Sequence, residues 1–367
     1  MDESHVKTIV ITGAAGYVGA MLAHQFSLRP DIKKIIGIDK NPLPEFLKPL
    51  VNSGVLVWIQ ENLSEGNWES LIEPEVPEII IHTAWQIREM YGKSAIQWKW
   101  NIEGSDRVFN YAFTHPSVKR LIHFSTVASY AAYPDNEINH FFTEQEPFRV
   151  SDYLYAEEKR IAEEHLKALV EKNKQDNKTV PQVFIVRPAA ITGPRGRYMT
   201  VRVGLQSALS GQLNKGFAQK LMSLLTSWVP LTKKWCRQFI HEDDVTDIVA
   251  LLAFEDGLVG DYEAFNICPP GPVVTGPDMA RAVRKKSVYL PPRLIQIIYF
   301  LLWHGSRGKI PTSRGGWKTY SYPISVDGSK ITQLFGYQYH YEAYPAFTEF
   351  VGRYTSLVPK DRIPNKK

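Results

Sequence analysis

Cysteine is nearly missing from this chain. Only Cys236 and Cys268 occur in 367 residues, isolated from one another and without the paired spacing of a metal site. That scarcity excludes a disulfide scaffold and fits a reducing compartment, so a cytoplasmic protein with inert thiols is expected. Long hydrophobic runs are missing too. The longest, Leu294 to Trp303 (LIQIIYFLLW), is ten residues with Gln296 inside it. It is too short to span a bilayer and leaves room for peripheral membrane contact at most. The polar N-terminus (MDESHVK) reaches the first apolar stretch within seven residues, so no signal peptide is expected. No internal repeat or low-complexity tract is found. Charge of one sign is not concentrated either. The net charge is +5, with basic residues spread along the chain apart from short clusters such as Lys233-Lys234 and the final Asn-Lys-Lys. A mild positive balance suits an anionic small molecule and does not call for nucleic acid. With 44% apolar and 22% charged residues, the chain reads as one large globular domain or two closely joined ones.

What is present begins within the first twenty residues. Thr8 to Thr12 (TIVIT) predicts a short buried strand that runs into Gly13-Ala-Ala-Gly16-Tyr17-Val18-Gly19, and Tyr17 to Leu28 carries apolar residues at helical spacing. Strand, glycine turn and helix together aim free backbone N–H groups and a positive helix end at a pyrophosphate. Gly13 permits the tight turn, Gly16 lets the backbone approach the phosphates, and Gly19 lets the helix sit close on the strand. A second strand, Ile35 to Ile38, ends on Asp39, twenty residues after Gly19. A carboxylate there accepts both ribose hydroxyls and repels a 2′-phosphate, so NAD is favoured over NADP. Lys40 weakens that preference without reversing it.

Further strands are predicted at Val55–Ile59, Glu78–His82, Arg120–Phe124 and Gln182–Val186, with helices over Ile96–Phe113 and Tyr155–Lys172. This alternation argues for an α/β fold, a Rossmann-type doubly wound parallel sheet. After Ala190 the rhythm changes. Gly193 to Trp235 is a long excursion, Phe239-Ile240 a return strand, and Asp243 to Phe254 a helix. The expected organisation is an NAD-binding body of residues 1–190, with 236–261 returning to it, and a small substrate-binding lobe of 191–235 and 262–367.

Tyr155-Ala-Glu-Glu-Lys159 places a phenol and an ammonium on one helix face. A lysine there is expected to lower the phenol pKa toward a value useful for proton transfer. Thr126, at the end of the fifth strand after Ser125, would hold a carbonyl or alcohol oxygen against that phenol. Tyr153 lacks a lysine four residues on and reads as a decoy. His82 and His123 are read as satisfied structural histidines. His241-Glu-Asp-Asp244 is read as a helix start, and no metal is assigned.

In these motifs the sequence resembles the extended short-chain dehydrogenase/reductases, also called the NAD-dependent epimerase/dehydratase family. TGAAGYVG, IGID, IIIHTAW, NIEGS, HFSTVASY, YAEEK, VRPAAITGPR and RQFIHEDDV follow in the family's order over about two-thirds of the chain. The resemblance implies that Gly13, Gly16, Tyr17, Val18, Gly19 and Asp39 bind the cofactor. It also implies Asn62 and Leu63 after the third strand, Ala84 and Trp85 along the phosphate–ribose path, Asn101 and Ser125 as support, and Pro188 near the carboxamide. Thr126, Tyr155 and Lys159 correspond to the catalytic triad, Lys159 also reaching the nicotinamide ribose. A homodimer is implied as well.

Four departures bear on the substrate. Asn62 stands where the family usually has Asp. Val127 and Ala128 stand where sugar-nucleotide dehydratases carry an Asp-Glu pair. Ala190 replaces the Asn of sugar-nucleotide epimerases, and Trp317-Lys-Thr-Tyr320 replaces their Arg-x-Gly-Asp anchor. Arg237 survives as a possible phosphate contact, and Tyr133, with His140, Phe141 and Phe142, borders the expected site. The apolar segment Leu294–Trp303 is similar in character to the branch resembling 3β-hydroxysteroid dehydrogenases. The expected function is therefore NAD-dependent hydride transfer at a secondary alcohol or ketone of a hydrophobic, steroid- or isoprenoid-like substrate. The alternatives are a nucleotide-sugar epimerase with tightly bound NAD and a non-catalytic NAD-binding sensor.

Overall fold

The computed structural model describes residues 6–196, 228–255, 260–282, 285–349 and 351–359. Most of the Gly193–Trp235 excursion and the final Asn-Lys-Lys lie outside the described residues. Runs rich in Val and Ile form a central sheet of seven parallel strands: β1 (Lys7–Thr12), β2 (Ile32–Asp39), β3 (Leu56–Gln60), β4 (Ile79–His82), β5 (Arg120–Phe124), β6 (Gln182–Pro188) and β7 (Tyr262–Ile267). Their spatial order is 3-2-1-4-5-6-7. Continuous apolar strands are what a parallel sheet needs, because both of its faces are covered.

Helices α1 (Tyr17–Phe26) and α4 (Glu242–Phe254) lie on one face, while α2 (Gly104–Thr114) and α3 (Leu154–Gln175) lie on the other. The strand period of two sorts the core accordingly. Ile9 and Ile11 pack with Phe26, Ile248 and Leu252, whereas Val10 packs with Val108, Phe109 and Leu166. Strand order reverses beside β1, so a crevice opens beyond the C-terminal ends of β1 and β4.

Two elements differ from expectation. Tyr262–Ile267 was assigned to the smaller lobe, but as β7 it pairs in parallel with β6 along its whole length. The expected helix Ile96–Phe113 is three segments, Ser94–Trp98, a π-helical turn Lys99–Glu103, and α2. A third apolar cluster, around Leu231, Trp235, Phe239, Val274, Ile295 and Tyr320, forms the core of the smaller lobe. That lobe includes helix α5 (Pro292–Gly305). Among the described residues no helix is long and apolar enough to cross a membrane.

Candidate active site

The turn after β1 is built by the absence of side chains. Gly13 has φ +72, and a Cβ on it would lie 2.6 Å from the Ala84 backbone at the end of β4. A Cβ on Gly19 would lie 2.3 Å from the Gly13 carbonyl oxygen, so only glycine lets α1 sit this close. Gly16 is the N-cap of α1 and offers no side-chain cap. A Cβ there would meet little beyond the Gly13 backbone, so its bareness serves the cavity in front of it. The first-turn N–H groups of α1 have no intrahelical acceptor and are left for a ligand.

These residues line a cavity of about 540 Å³. It also takes in Val18, Asp39, Asn62, Leu63, Ala84, Trp85, Asn101, Ser125, Thr126, Tyr155, Lys159, Pro188 and Arg237, residues scattered over more than two hundred positions of sequence. Tyr133, His140, Phe141 and Phe142 lie outside its wall. The Tyr133 hydroxyl donates to the Val150 carbonyl at 2.7 Å, and its ring lies under Arg149. Phe141–Phe142 is a short strand paired with Ser325–Val326. None of the α5 residues, among them the apolar segment Leu294–Trp303, lines the cavity.

Beside the glycine turn, the buried Asp39 carboxylate accepts the Ala15 N–H at 3.0 Å and the Asn41 N–H at 2.8 Å. Both bonds fix its oxygens at the mouth of the glycine turn. Lys40 lines the same cavity, its ammonium resting 3.4 Å over the Trp100 ring. The Asn62 amide oxygen takes the Ser64 N–H and hydroxyl at 3.1 and 3.0 Å. Asn101 accepts the Gln86 N–H at 2.7 Å and donates to the Gln86 carbonyl at 3.0 Å and to Glu158 at 2.6 Å. It thereby ties the segment after β4 to α3.

At the other end of the cavity, the Thr126 hydroxyl is a hydrogen-bonding neighbour of the Tyr155 phenol. The Thr126 oxygen also accepts the Ala128 N–H at 3.2 Å, which turns it toward the phenol. Burial pushes the Tyr155 phenol up to about 12, with the Thr126 hydrogen bond working against that rise. The expected lowering by Lys159 is not found. That ammonium donates to the Phe124 carbonyl and lies 3.6 Å over the Trp85 ring. A buried cation takes its nearest acceptor and a π face, and burial still drives its pKa well down.

Tyr153, read as a decoy, lines the same cavity, its ring 5.8 Å from that of Tyr155. Burial raises its pKa while the charge of Arg237 opposes the rise. The same charge acts on Tyr299 and Tyr320, so Arg237 stands among three phenols. Arg237 itself has no hydrogen-bond or ion-pair partner among the described residues. Gln238, Thr319, Tyr322 and Ile324 complete this end. Sequence spacing carries no signal for them, because they come from the smaller lobe.

The cradle that a Cβ at Gly13 or Gly19 would fill, the uncapped N-terminus of α1 and the fixed carboxylate of Asp39 together fit a dinucleotide.

The comparisons agree with this geometry. The model of the "NAD dependent epimerase/dehydratase family" matches residues 9–268. No curated protein matches the chain. The enzyme WbmG of Bordetella bronchiseptica, solved with NAD, is similar at 20% identity over 100% of both chains, with a TM-score of 0.66. A dTDP-glucose 4,6-dehydratase of Bacillus anthracis, also with NAD, shares 16% identity over 97% of this chain and 98% of its own, at TM-score 0.67. A UDP-glucose 4-epimerase of Thermotoga maritima, solved with UDP-glucose, shares 18% identity over 96% of this chain and 100% of its own, at TM-score 0.63. At such identities the likeness is one of fold.

Proposed function

The chain belongs to the NAD dependent epimerase/dehydratase family, whose members are NAD-dependent enzymes, and from that premise we propose that it carries out hydride transfer at a secondary alcohol or ketone. The observation that carries this reading is the hydrogen-bonded Thr126–Tyr155 pair in the dinucleotide cavity, with Lys159 one helical turn further along α3. Gly13, Gly16 and Gly19 with the start of α1 would hold the pyrophosphate. Asp39 would hold the adenosine ribose, Ala84 and Trp85 would line the path between, and Pro188 would border the nicotinamide. Bound NAD supplies the hydride acceptor and, when oxidised, a positive charge near the phenol. In the oxidative direction the alcohol carbon loses hydride and its oxygen loses a proton. Thr126 would orient that oxygen, and Tyr155, in its phenolate form favoured by the cofactor's positive charge, would take the proton. Lys159, with one N–H on the Phe124 carbonyl, would turn a remaining one to the nicotinamide ribose.

For the substrate, the unpartnered Arg237 guanidinium supports a phosphate-bearing molecule such as a nucleotide sugar, as in the similar enzymes solved with UDP-glucose or named for dTDP-glucose. Val127 and Ala128 after Thr126 provide no acid–base pair for eliminating water, so epimerisation or simple oxidation is favoured over dehydration. A second reading, an apolar alcohol of the kind used by the 3β-hydroxysteroid dehydrogenase-like branch, rests on the Tyr153, Tyr322 and Ile324 lining. It no longer has support from Leu294–Trp303.

The test is absorbance at 340 nm with NAD and a panel of UDP- and dTDP-sugars, hydroxysteroids and isoprenoid alcohols, alongside chromatography of the sugars. Tyr155→Phe should cut turnover by about 10²–10⁴-fold and leave NAD binding intact. Equal activity in the variant would remove Tyr155 from the mechanism. Arg237→Leu should raise KM for a nucleotide sugar and leave an apolar alcohol unaffected.

A further inference from the structure

Basic residues are spread along the whole chain, but acidic ones are not. Between Asp278 and Asp327 lie 48 residues with nine Lys and Arg and no Asp or Glu, where the chain's average frequency would place about five acids. Helix α5 stands in the middle of this stretch. Its Ile295, Tyr299 and Trp303, at i, i+4 and i+8, turn inward. Ile295 and Trp303 are buried, Tyr299 lies 5.9 Å from the Tyr320 ring, and Trp303 packs on Tyr91.

The other side of α5 carries Leu294, Ile297 and Leu301 at i, i+3 and i+7, with Phe300 beside them. These are 39%, 54%, 62% and 61% exposed, respectively. Arg293 at the start of the helix and Arg307 and Lys309 just past its end are exposed, and their charged groups have no ion-pair partner among the described residues. Asp152 pairs with Lys318 and Glu89 bonds to Ser313, both outside the helix. The helix itself carries an apolar stripe, cationic ends and no acid, the pattern of a helix lying in a membrane interface. A second copy of the chain is a poor occupant, because a two-fold contact here would bring Arg293, Arg307 and Lys309 of both copies together.

We propose that this face docks on the surface of an anionic lipid bilayer. Leu294, Ile297, Phe300 and Leu301 enter the headgroup–acyl boundary, and the basic residues meet the lipid phosphates. The inner face of α5 reaches Tyr320, next to Thr319 in the cavity wall, so the membrane lies about one helix's thickness from the substrate end. The proposal holds for either substrate reading.

Flotation of the full chain with lipid vesicles tests it. Vesicles of phosphatidylcholine containing about 30% phosphatidylserine should carry roughly tenfold more protein than phosphatidylcholine alone, and salt near 1 M should abolish the difference. Ile297→Asp and the pair Arg293→Glu with Lys309→Glu should each lower the bound fraction roughly tenfold. Each should keep the wild-type thermal shift with NAD, which reports an intact fold. Wild-type protein that stays with neither vesicle, or variants that float as well as wild type, would overturn the proposal. So would a wild-type dimer, seen by light scattering without lipid, that Ile297→Asp converts to monomer.

Discussion

His82 and His123 end neighbouring strands with their rings 5.3 Å apart and stacked, yet the sheet serves them differently. His82 has both nitrogens engaged, with Thr12 at 2.7 Å and Ser105 at 2.8 Å. Neither nitrogen of His123 has a hydrogen-bond partner among the described residues, so the expectation of a satisfied histidine holds for the first and not the second. Burial, helped by the charge of Lys159, lowers His82 to about 3 and pushes His123 well down. Both rings are therefore neutral in the folded chain. Below the unfolded value near 6.5 the unfolded chain binds protons that the folded one refuses. The stability these rings contribute is present above that pH and is lost as pH falls from 6.5 toward 3. His123→Phe should flatten this acid limb by about 1.4 kcal/mol per pH unit and leave stability at pH 7 equal or higher. Urea unfolding at several pH values measures it, and an unchanged slope would mean that His123 is protonated in the fold. Tyr155 teaches the same lesson. Helical spacing predicts that Lys159 shares its face, but only packing determines that the ammonium spends itself on Phe124 and Trp85.

At the scale of elements, the π-helical turn Lys99–Glu103 is the least legible piece, because apolar spacing looks helical straight through it. Within that turn Asn101 is buried and binds Gln86 and Glu158. Asn101→Leu would strip the Glu158 carboxylate of a donor and free the segment behind Ala84 and Trp85. Denaturant unfolding should show a loss of about 1–3 kcal/mol, and NAD titration should show weaker binding. Undiminished NAD affinity would confine Asn101 to a structural role. The fit of α1 to β1 was fully legible by contrast, since glycine spacing alone encodes it. β7 was missed because an edge strand after a long excursion has no turn signal tying it to a sheet formed far earlier in the chain.

For the whole molecule, ligand binding and stability are linked. NAD at about 100 times its dissociation constant should raise unfolding stability by roughly 2.7 kcal/mol, read as an upward thermal shift. NADP at the same concentration should shift it much less if the buried carboxylate of Asp39, which lines the cavity, meets the adenosine ribose as proposed. Equal shifts with the two cofactors would remove Asp39 as a discriminator.

Local order along the chain determined the Rossmann-type sheet, the glycine turn, Asp39 and the Thr126, Tyr155 and Lys159 set. Each rests on short-range spacing: glycines that admit no side chain, a period of two in strands, a four-residue step on a helix. Tertiary structure decided which side chains share the cavity. It admitted Tyr153, kept Tyr133 out of the wall, turned one face of α5 outward, and set Arg237 among three phenols with no hydrogen-bond or ion-pair partner among the described residues. Those outcomes depend on how a second lobe closes over the sheet, a long-range packing relation that no local pattern of residues carries.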